Sequence, residues 1–514
     1  MSDLILNQPP FSLLPLSLYT AAQVRELDRM AIDDHGIPGA SLMARAGQAA
    51  FEVLQRRWPR CRSLGVLCGV GNNGGDGFIV ARLAHEAGYS VRVWQVGDVA
   101  KIRGDALNAR QQMQAAGLGV EPFTGNDFGD ADADAYAEVL VDSLLGTGLN
   151  GEVEGDWRQA IEAINTAHDN GVNILALDIP SGLQADTGRI LGDAVHADAC
   201  ISFIGLKAGM MTGQGPALCG ALSFSDLEVP EPVYARMKAV ARRIDWSQMS
   251  LPARNQSAHK GDFGHVLIVG GDHGMAGEAA LRTGAGLVSV ATRAEHAASI
   301  SAARPEIMSL GIETDSASFS VLARLLKRAT VLAVGPGLGQ GIWGRKLFSA
   351  LMESTLPMVV DADALNLLAA EPVKRDNWIL TPHPGEAARL LDQTIAQVET
   401  DRIAAALAIQ QKYGGVVVLK GAGTIVVNSS GDIAICSEGN PGMASGGMGD
   451  VLTGVIASLL AQSAQGSLHS SVALFMAAQQ GVSLQAHAAD IAAQDGQRGL
   501  LASDLFPVMR RLLG

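Results

Sequence analysis

The sequence predicts an α/β protein of two domains, each a parallel sheet with helices on both faces, and three observations predict it. At 514 residues the chain is longer than one ordinary core supports. Short apolar runs bounded by glycine alternate with helical patterns: LGVLCGV, VRVWQV, EVLVDSLLG, VNILALDIPSG and ACISFIG in the first half, then HVLIVGG, TVLAVGPGLG, PMVVDADAL and GVVVLKGAG in the second. Strand then helix, repeated, is the pattern of parallel sheets buried on both faces. Between the halves, residues 227–264 bring prolines and charge without strand rhythm, as a connector does, so the boundary is placed near residue 248, giving domains 1–248 and 249–514. The two halves do not look like copies of each other, and no short-period repeat occurs.

Composition narrows the function. Hydrophobic residues make up 48% of the chain and charged residues 18%, enough apolar surface for compact cores. A formal net charge of −14 argues against nucleic-acid and membrane-surface partners, while leaving room for a local basic pocket that takes a phosphorylated small molecule. The acidic run at 127–138 reads as a solvated loop and helix face. Cys61, Cys68, Cys200, Cys219 and Cys436 form no CxxC pair and no zinc spacing, which fits a reducing compartment and implies neither a disulfide framework nor a structural metal. The start lacks a basic leader and reads as mature sequence, and no uncharged apolar run reaches membrane-spanning length. A cytoplasmic protein is expected.

In the first half, GVGNNGGDGFIVARL follows a strand and enters a helix. Gly69, Gly71 and Gly74 satisfy GxGxxG, and Asp98 lies where a ribose-binding acid would, so a dinucleotide oxidoreductase is one reading. Asn72, Asn73, Gly75 and Asp76 add more to the turn than pyrophosphate approach requires. Two further strand ends carry Asp142, in VDSLLGTGLNGEV, and Asp178 with Ser181, in ALDIPSGLQADTG; Gly146 and Gly148 permit close backbone approach to phosphate. Singly, each aspartate is as readily a cap or turn residue. Together, at neighbouring strand ends, they would converge on the edge that holds Asn73.

GNNGGDGFIVARL, DSLLGTGLNGEV, DIPSGLQADTG and FIGLKAG resemble the YjeF amino-terminal family, the NAD(P)HX epimerases, over residues 20–230. The resemblance implies a Rossmann-like three-layer sandwich that interconverts the R and S forms at C6 of hydrated NADH and NADPH. It implies that Asn72, Asn73, Gly74, Gly75 and Asp76, with Gly146, Thr147, Gly148, Leu149, Asn150, Gly151 and Glu152, hold the damaged dinucleotide. Asp178 would contact the substrate and is the candidate acid/base, since a carboxylate can move a proton beside a reduced nicotinamide without redox change. Asn73, Asp142 and Ser181 would supply oxygens to a potassium ion.

Four strand ends matter in the second half: VGPGLGQ with Gly337, TPHPGEAARLL with His383, VVVLKGAGTIVV with Lys420 and Thr424, and NPGMASGGMGDVLTG with Asp450. Each has a plain alternative, a turn histidine, a snorkelling lysine or a capping aspartate. Their combination resembles the ribokinase-like superfamily, whose Gly-x-Gly-Asp loop aims helix-terminal N–H groups at a moving phosphoryl and sets the aspartate beside the attacking hydroxyl. No P-loop GxxxxGK[ST] occurs, so the nucleotide is held differently.

More narrowly, GDFGHVLIVGGDHG, ALRTGAGLVSVAT, GPGLG, DADALNLL, TPHPGE, LKGAGT and GNPGMASGGMGDVLTG resemble the ADP-dependent NAD(P)HX dehydratases over residues 250–510, and the fused pair resembles the bifunctional NAD(P)H-hydrate repair family. That resemblance implies a ribokinase-like three-layer sandwich using ADP and magnesium. Gly337 and His383 would touch the hydrated dinucleotide; Lys420, Gly421, Ala422, Gly423, Thr424 and Gly449 the adenine nucleotide; Asp450 the substrate hydroxyl. Small-molecule substrates NADHX and NADPHX and a homo-oligomer follow. Where the family carries about two more helical turns, GDHGMAGEAALR runs straight through, which puts a nicotinamide-end contact in question. The rival reading is a small-molecule alcohol kinase joined to a non-catalytic dinucleotide-binding domain.

Overall fold

The computed structural model describes residues 14–125, 137–271, 274–463 and 470–514, so most of the acidic run at 127–138 lies outside the described residues. The chain divides into two compact units, Met1–Arg242 and Arg243–Gly514.

In the first unit seven parallel strands lie in the order Glu121–Pro122, Ser90–Gln95, Ser63–Cys68, Val139–Ser143, Asn173–Leu177, Ala199–Phe203, Ala221–Ser225. Chain order reverses between Ser63–Cys68 and Val139–Ser143, where Cys68 pairs with Ser143. Ligands of open parallel sheets bind beyond the strand ends at such a reversal. The central strands are buried but for Ser63 and Asn173 at their starts, as near-continuous apolar runs require when both faces are covered.

In the second unit the strands run Met308–Gly311, Leu287–Thr292, His265–Val269, Val331–Val334, Met358–Val360, Trp378–Leu380 and Val416–Leu419 in parallel, then Ile425–Val427 and Ile433–Cys436 antiparallel. The helix Met448–Ala461 is apolar nearly all round because it is buried all round, between the sheet and the helices Met275–Arg282 and Ser471–Ala492. Gly454 makes that packing possible: a Cβ there would meet the Ala276 carbonyl oxygen at 2.2 Å. Gly454→Val is expected to cost the second unit about 3 kcal/mol, read as an earlier thermal transition of that unit alone.

One expectation is corrected. The segment read as a strandless connector contains the helix Glu231–Ala235 and the strand Ala241–Ile244, which pairs antiparallel with Ser17–Tyr19. Two arginines masked its alternation, and one of them, Arg243, is buried with its guanidinium on Asp245.

Candidate active sites

The glycines of the first unit's loop serve close approach. A Cβ on Gly69 would lie 1.9 Å from the Leu144 carbonyl oxygen, one on Gly74 2.1 Å from that of Gly69, and one on Gly77 2.0 Å from Ser143 Oγ. The helix Asn72–Glu86 is thereby seated on two strand ends, and no side chain caps its start at Gly71. Its first turn lines a cavity of about 560 Å³ whose lining includes Asn72, Asn73, Asp76, Gly146, Thr147, Gly148, Leu149, Asn150 and Asp178. Gly74 and Gly75 sit behind this wall, Gly75 against Met43 and Ala106. Gly151 and Glu152 lie outside the lining, with Glu152 paired to Arg189 at 3.3 Å.

Asp178 follows the strand Asn173–Leu177 in the left-handed region, φ 65°, where an aspartate is tolerated and most side chains are strained. Its N–H bonds the Ile201 carbonyl at 2.7 Å, and its carboxylate forms an ion pair with Lys207. That lysine is wholly buried, donating also to Ser202 Oγ at 3.0 Å. Gly146 stands close to both groups, since a Cβ there would lie 3.5 Å from Asp178 Oδ2 and 3.4 Å from Asn73 Cβ. Asp76 is pushed well above the usual carboxylate range by burial, with Asp178 and Asp28 adding to the effect. Asn73 is 8% exposed, and both its amide atoms lack a hydrogen-bond partner. Such a group calls for a partner, which a ligand, an ion or an ordered water can supply.

Asp142 and Ser181 meet behind the cavity wall: Ser181 donates to Asp142 from Oγ at 2.6 Å and from its N–H at 2.8 Å. Burial pushes the Asp142 carboxyl up to about 6 against those hydrogen bonds. The cavity-lining Leu145 donates its N–H to Ser181 Oγ at 2.9 Å. Asp98 is not among the residues lining the cavity; it caps a short turn, accepting from the Ala100 N–H at 2.9 Å.

In the second unit the helix Met448–Ala461 starts from Gly447 in the left-handed region, φ 87°, with no side-chain cap, and Asp450 is its third residue. Lys420, at the end of the strand Val416–Leu419, places Nζ 2.7 Å from Asp361 Oδ1 and 3.8 Å from Glu386 Oε2. Asp361 Oδ2 accepts from Thr453 Oγ1 at 2.8 Å. A Cβ on Gly449 would lie 3.5 Å from Lys420 Nζ and 3.4 Å from Asp361 Oδ2, so the lysine and aspartate stand at the helix's first turn, which also carries Asp450.

His383 caps the helix Pro384–Leu391, its Nδ1 accepting from the Gly385 N–H at 3.0 Å, and Glu386 returns the bond from the His383 N–H at 2.8 Å. Burial, then Lys420 and Arg389, hold the imidazole below its usual range, hence neutral. Burial raises Glu386. The loop from Lys420 through Gly421, Ala422 and Gly423 to Thr424 is anchored from beneath by Arg402, whose guanidinium reaches the Lys420 carbonyl at 3.0 Å; Thr424 Oγ1 donates to the Gly421 carbonyl at 3.0 Å. Gly337, φ 63°, lies in the loop after the strand Val331–Val334, beside Gly335, whose Cβ would strike the Asp361 carbonyl oxygen at 1.7 Å. The shortened segment yields a helix of two turns, Met275–Arg282, opened by Gly274; Asp272 and His273 lie outside the described residues.

Sequence reasoning assigned no role to Lys207, Asp28, Asp361, Glu386, Thr453 or Arg402. Asp361, Glu386 and Lys207 stood inside the quoted strings DADAL, TPHPGE and FIGLKAG, but nothing local marks them as buried partners of Lys420 and Asp178.

Residues 39–209 match the family model described as YjeF-related protein N-terminus, and residues 266–511 match the one described as NAD(P)H-hydrate dehydratase. The bifunctional NAD(P)H-hydrate repair enzyme Nnr of Coxiella burnetii is 45% identical over 505 residues, which are 96% of this chain and 99% of that one. Its namesake in Escherichia coli is 42% identical over 522 residues, covering 100% and 97%. A solved ribokinase-like superfamily protein of Enterococcus faecalis is 25% identical, with a TM-score of 0.48 over 53% of this chain and 95% of its own.

Proposed function

The chain belongs to the bifunctional NAD(P)H-hydrate repair enzymes, and from that premise we propose how its two units divide the work. The first epimerises R- and S-NAD(P)HX; the second dehydrates S-NAD(P)HX with ADP, releasing AMP and phosphate. The observation that carries the second activity is Asp450 on the uncapped first turn of a buried helix, with Lys420 beside it.

Hydroxide is a poor leaving group, and phosphate a far better one. Asp450 takes the proton of the C6 hydroxyl as that oxygen attacks the β-phosphorus of ADP, while the amides at Gly447, Met448 and Gly449 stabilise charge on the phosphoryl oxygens. The lone pair of the ring nitrogen then expels phosphate, leaving an iminium, and loss of a proton from C5 restores the dihydropyridine. His383 and Gly337 hold the hydrated nicotinamide, and residues 420–424 with Gly449 the adenine nucleotide. Magnesium, when bound with the nucleotide, neutralises phosphate charge; the buried carboxylate of Glu386 is a hard oxygen donor that suits it.

In the first unit Asp178 moves the proton at the C6 oxygen of the epimerising centre, and residues 72–76 and 146–152 hold the dinucleotide. A potassium ion fits the donor set: Asn73 has an unpartnered buried amide oxygen, and Asp142 is a buried carboxyl short of positive charge. Asn73, Asp142 and Ser181 would hold it, and when bound it would order the 144–150 loop. Potassium is expected to raise the melting temperature of the first unit relative to choline, and Asp142→Asn to remove the increment; equal melting in both salts would refute the site.

Among the described residues no helix is long and apolar enough to cross a membrane, and all five cysteines are free and buried. These support a cytoplasmic setting, to which the family resemblance adds a homo-oligomer. Incubation with ADP, magnesium and mixed NADHX epimers tests the whole reading through the absorbance of the reduced nicotinamide. Full recovery is expected. A plateau at the S fraction, moving only at the spontaneous rate of epimerisation, would leave the first unit as a binding scaffold, and no recovery would favour the alcohol kinase.

A further inference from the structure

Inversion at C6 of the hydrated ring asks more than one carboxylate can supply. C6 carries both the hydroxyl and the ring nitrogen, so its configuration is lost when the nitrogen lone pair expels the hydroxyl and leaves a planar iminium. The departing oxygen needs a proton on the face it leaves, and the water that replaces it must give one up on the other face. An acid and a base are therefore required together, and a single group beside one face provides only one of them.

The cavity of the first unit holds a second carboxyl suited to this. Asp28 lines it from the helix Ala21–Asp33, on the face that also presents Val24, Arg25 and Ile32, while Asp178 lines it from the end of the strand Asn173–Leu177. Among the described residues the Asp28 carboxyl makes no hydrogen bond or ion pair, whereas Asp178 is paired with the buried Lys207. Burial raises Asp28 above the usual carboxylate range, and the charges of Asp178 and Asp105 raise it further. Asp76, itself raised, adds no positive charge, and the exposed Arg25 is committed to the Thr147 carbonyl at 3.1 Å. The two carboxyls are thus pushed apart, one toward the acid and the other held as carboxylate, which is how such pairs divide acid and base. Asn73, 8% exposed with both amide atoms unpartnered, calls for an occupant of the same space.

We propose that Asp28 is a second catalytic residue of the epimerase, the acid on one face of the hydrated nicotinamide ring while Asp178 is the base on the other. The inference rests on the epimerase reading above and gives that site its second group. The C6–oxygen bond breaks with its electron pair on oxygen, Asp28 gives that oxygen a proton, and the nitrogen lone pair closes the double bond to C6. A water then bonds C6 from the opposite face, the double-bond pair returns to nitrogen, and Asp178 takes the surplus proton. One water leaves, one enters, and nothing is oxidised or reduced. Asp28 is left as the carboxylate and Asp178 as the acid, the state that the opposite epimer needs, so one pair serves both directions. Proton exchange with solvent restores the first state, and the Lys207 ammonium favours it.

The test follows interconversion of R- and S-NADHX by the full chain without ADP, by chromatography in water enriched in oxygen-18, with the spontaneous rate subtracted. The unaltered chain is expected to place one solvent oxygen at C6 per inversion. Asp28→Asn keeps the size and polarity but has no proton to give, and is expected to lower kcat about 10²–10⁴-fold with KM changed less than about threefold. It removes a like charge from beside Asp178 and Asp105, so the first unit is expected to melt no earlier than in the unaltered chain. Asp28→Ala, a good helix residue, is expected to be as slow and to regain at least about tenfold when acetate buffer is added, a rescue that a structural role does not give. Wild-type kcat in Asp28→Asn, a rise in KM alone, early melting of both variants with no rescue, or retention of the original C6 oxygen by the unaltered chain would each overturn the proposal. If the unaltered chain interconverts the epimers no faster than solution does, the epimerase reading falls instead.

Discussion

Asp450→Asn is expected to abolish ADP-dependent recovery of NADH from S-NADHX, by about 10³-fold or more, while epimerisation proceeds unchanged. The amide keeps the size and polarity of the carboxylate but cannot accept the hydroxyl proton as the oxygen attacks phosphorus. General-base removal costs about 10²–10⁴-fold, and transfer without a base leaves an oxonium at the new bond. The structural cost is small: an acidic residue in the first turn contributes about 0.3–1 kcal/mol through the helix dipole. Loss of activity with little change in the melting of the second unit therefore points to chemistry. The assay follows nicotinamide absorbance with pure S-NADHX, and separately the interconversion of R- and S-NADHX by chromatography. Wild-type turnover in Asp450→Asn would remove the base from the mechanism.

Much of this was legible in the sequence because parallel sheets write themselves as apolar runs ending in glycine, and active sites gather at those ends. The loops at 69–76, 144–150 and 335–341 fall where that rule puts them, whereas the Gly447–Asp450 turn, read as a strand end, opens a helix well after the antiparallel strand Ile433–Cys436. The partners of the site residues were not legible. Lys207 reaches Asp178 from 29 residues away, Lys420 reaches Asp361 from 59, and Thr453 reaches it from 92, and no local pattern encodes a pairing made by strand adjacency. The strand Ala241–Ile244 escaped for a similar reason: half its residues are arginines, and its partner Ser17–Tyr19 lies at the other end of the unit. Local propensity spoke for a connector, and tertiary pairing overrode it.

Asp178→Asn is expected to stop epimerisation, by about 10²–10⁴-fold, and leave the dehydration of S-NADHX untouched. Unlike Asp450→Asn it should also destabilise its own unit, and the two effects can be separated. Asparagine tolerates the left-handed backbone that Asp178 adopts at φ 65°, so strain does not change. What changes is the wholly buried Lys207, which loses its carboxylate and keeps only Ser202 and a longer contact with the Phe203 carbonyl. Breaking one side of a buried pair costs about 3–5 kcal/mol, most of it the stranded charge. Removing that charge as well, in Asp178→Asn with Lys207→Met, is expected to restore much of the melting temperature of the first unit while epimerisation stays lost. A purely structural pair predicts the reverse, activity returning with stability. Epimerisation by the double variant near the wild-type rate would take Asp178 out of the chemistry and leave it a counter-ion for a buried lysine.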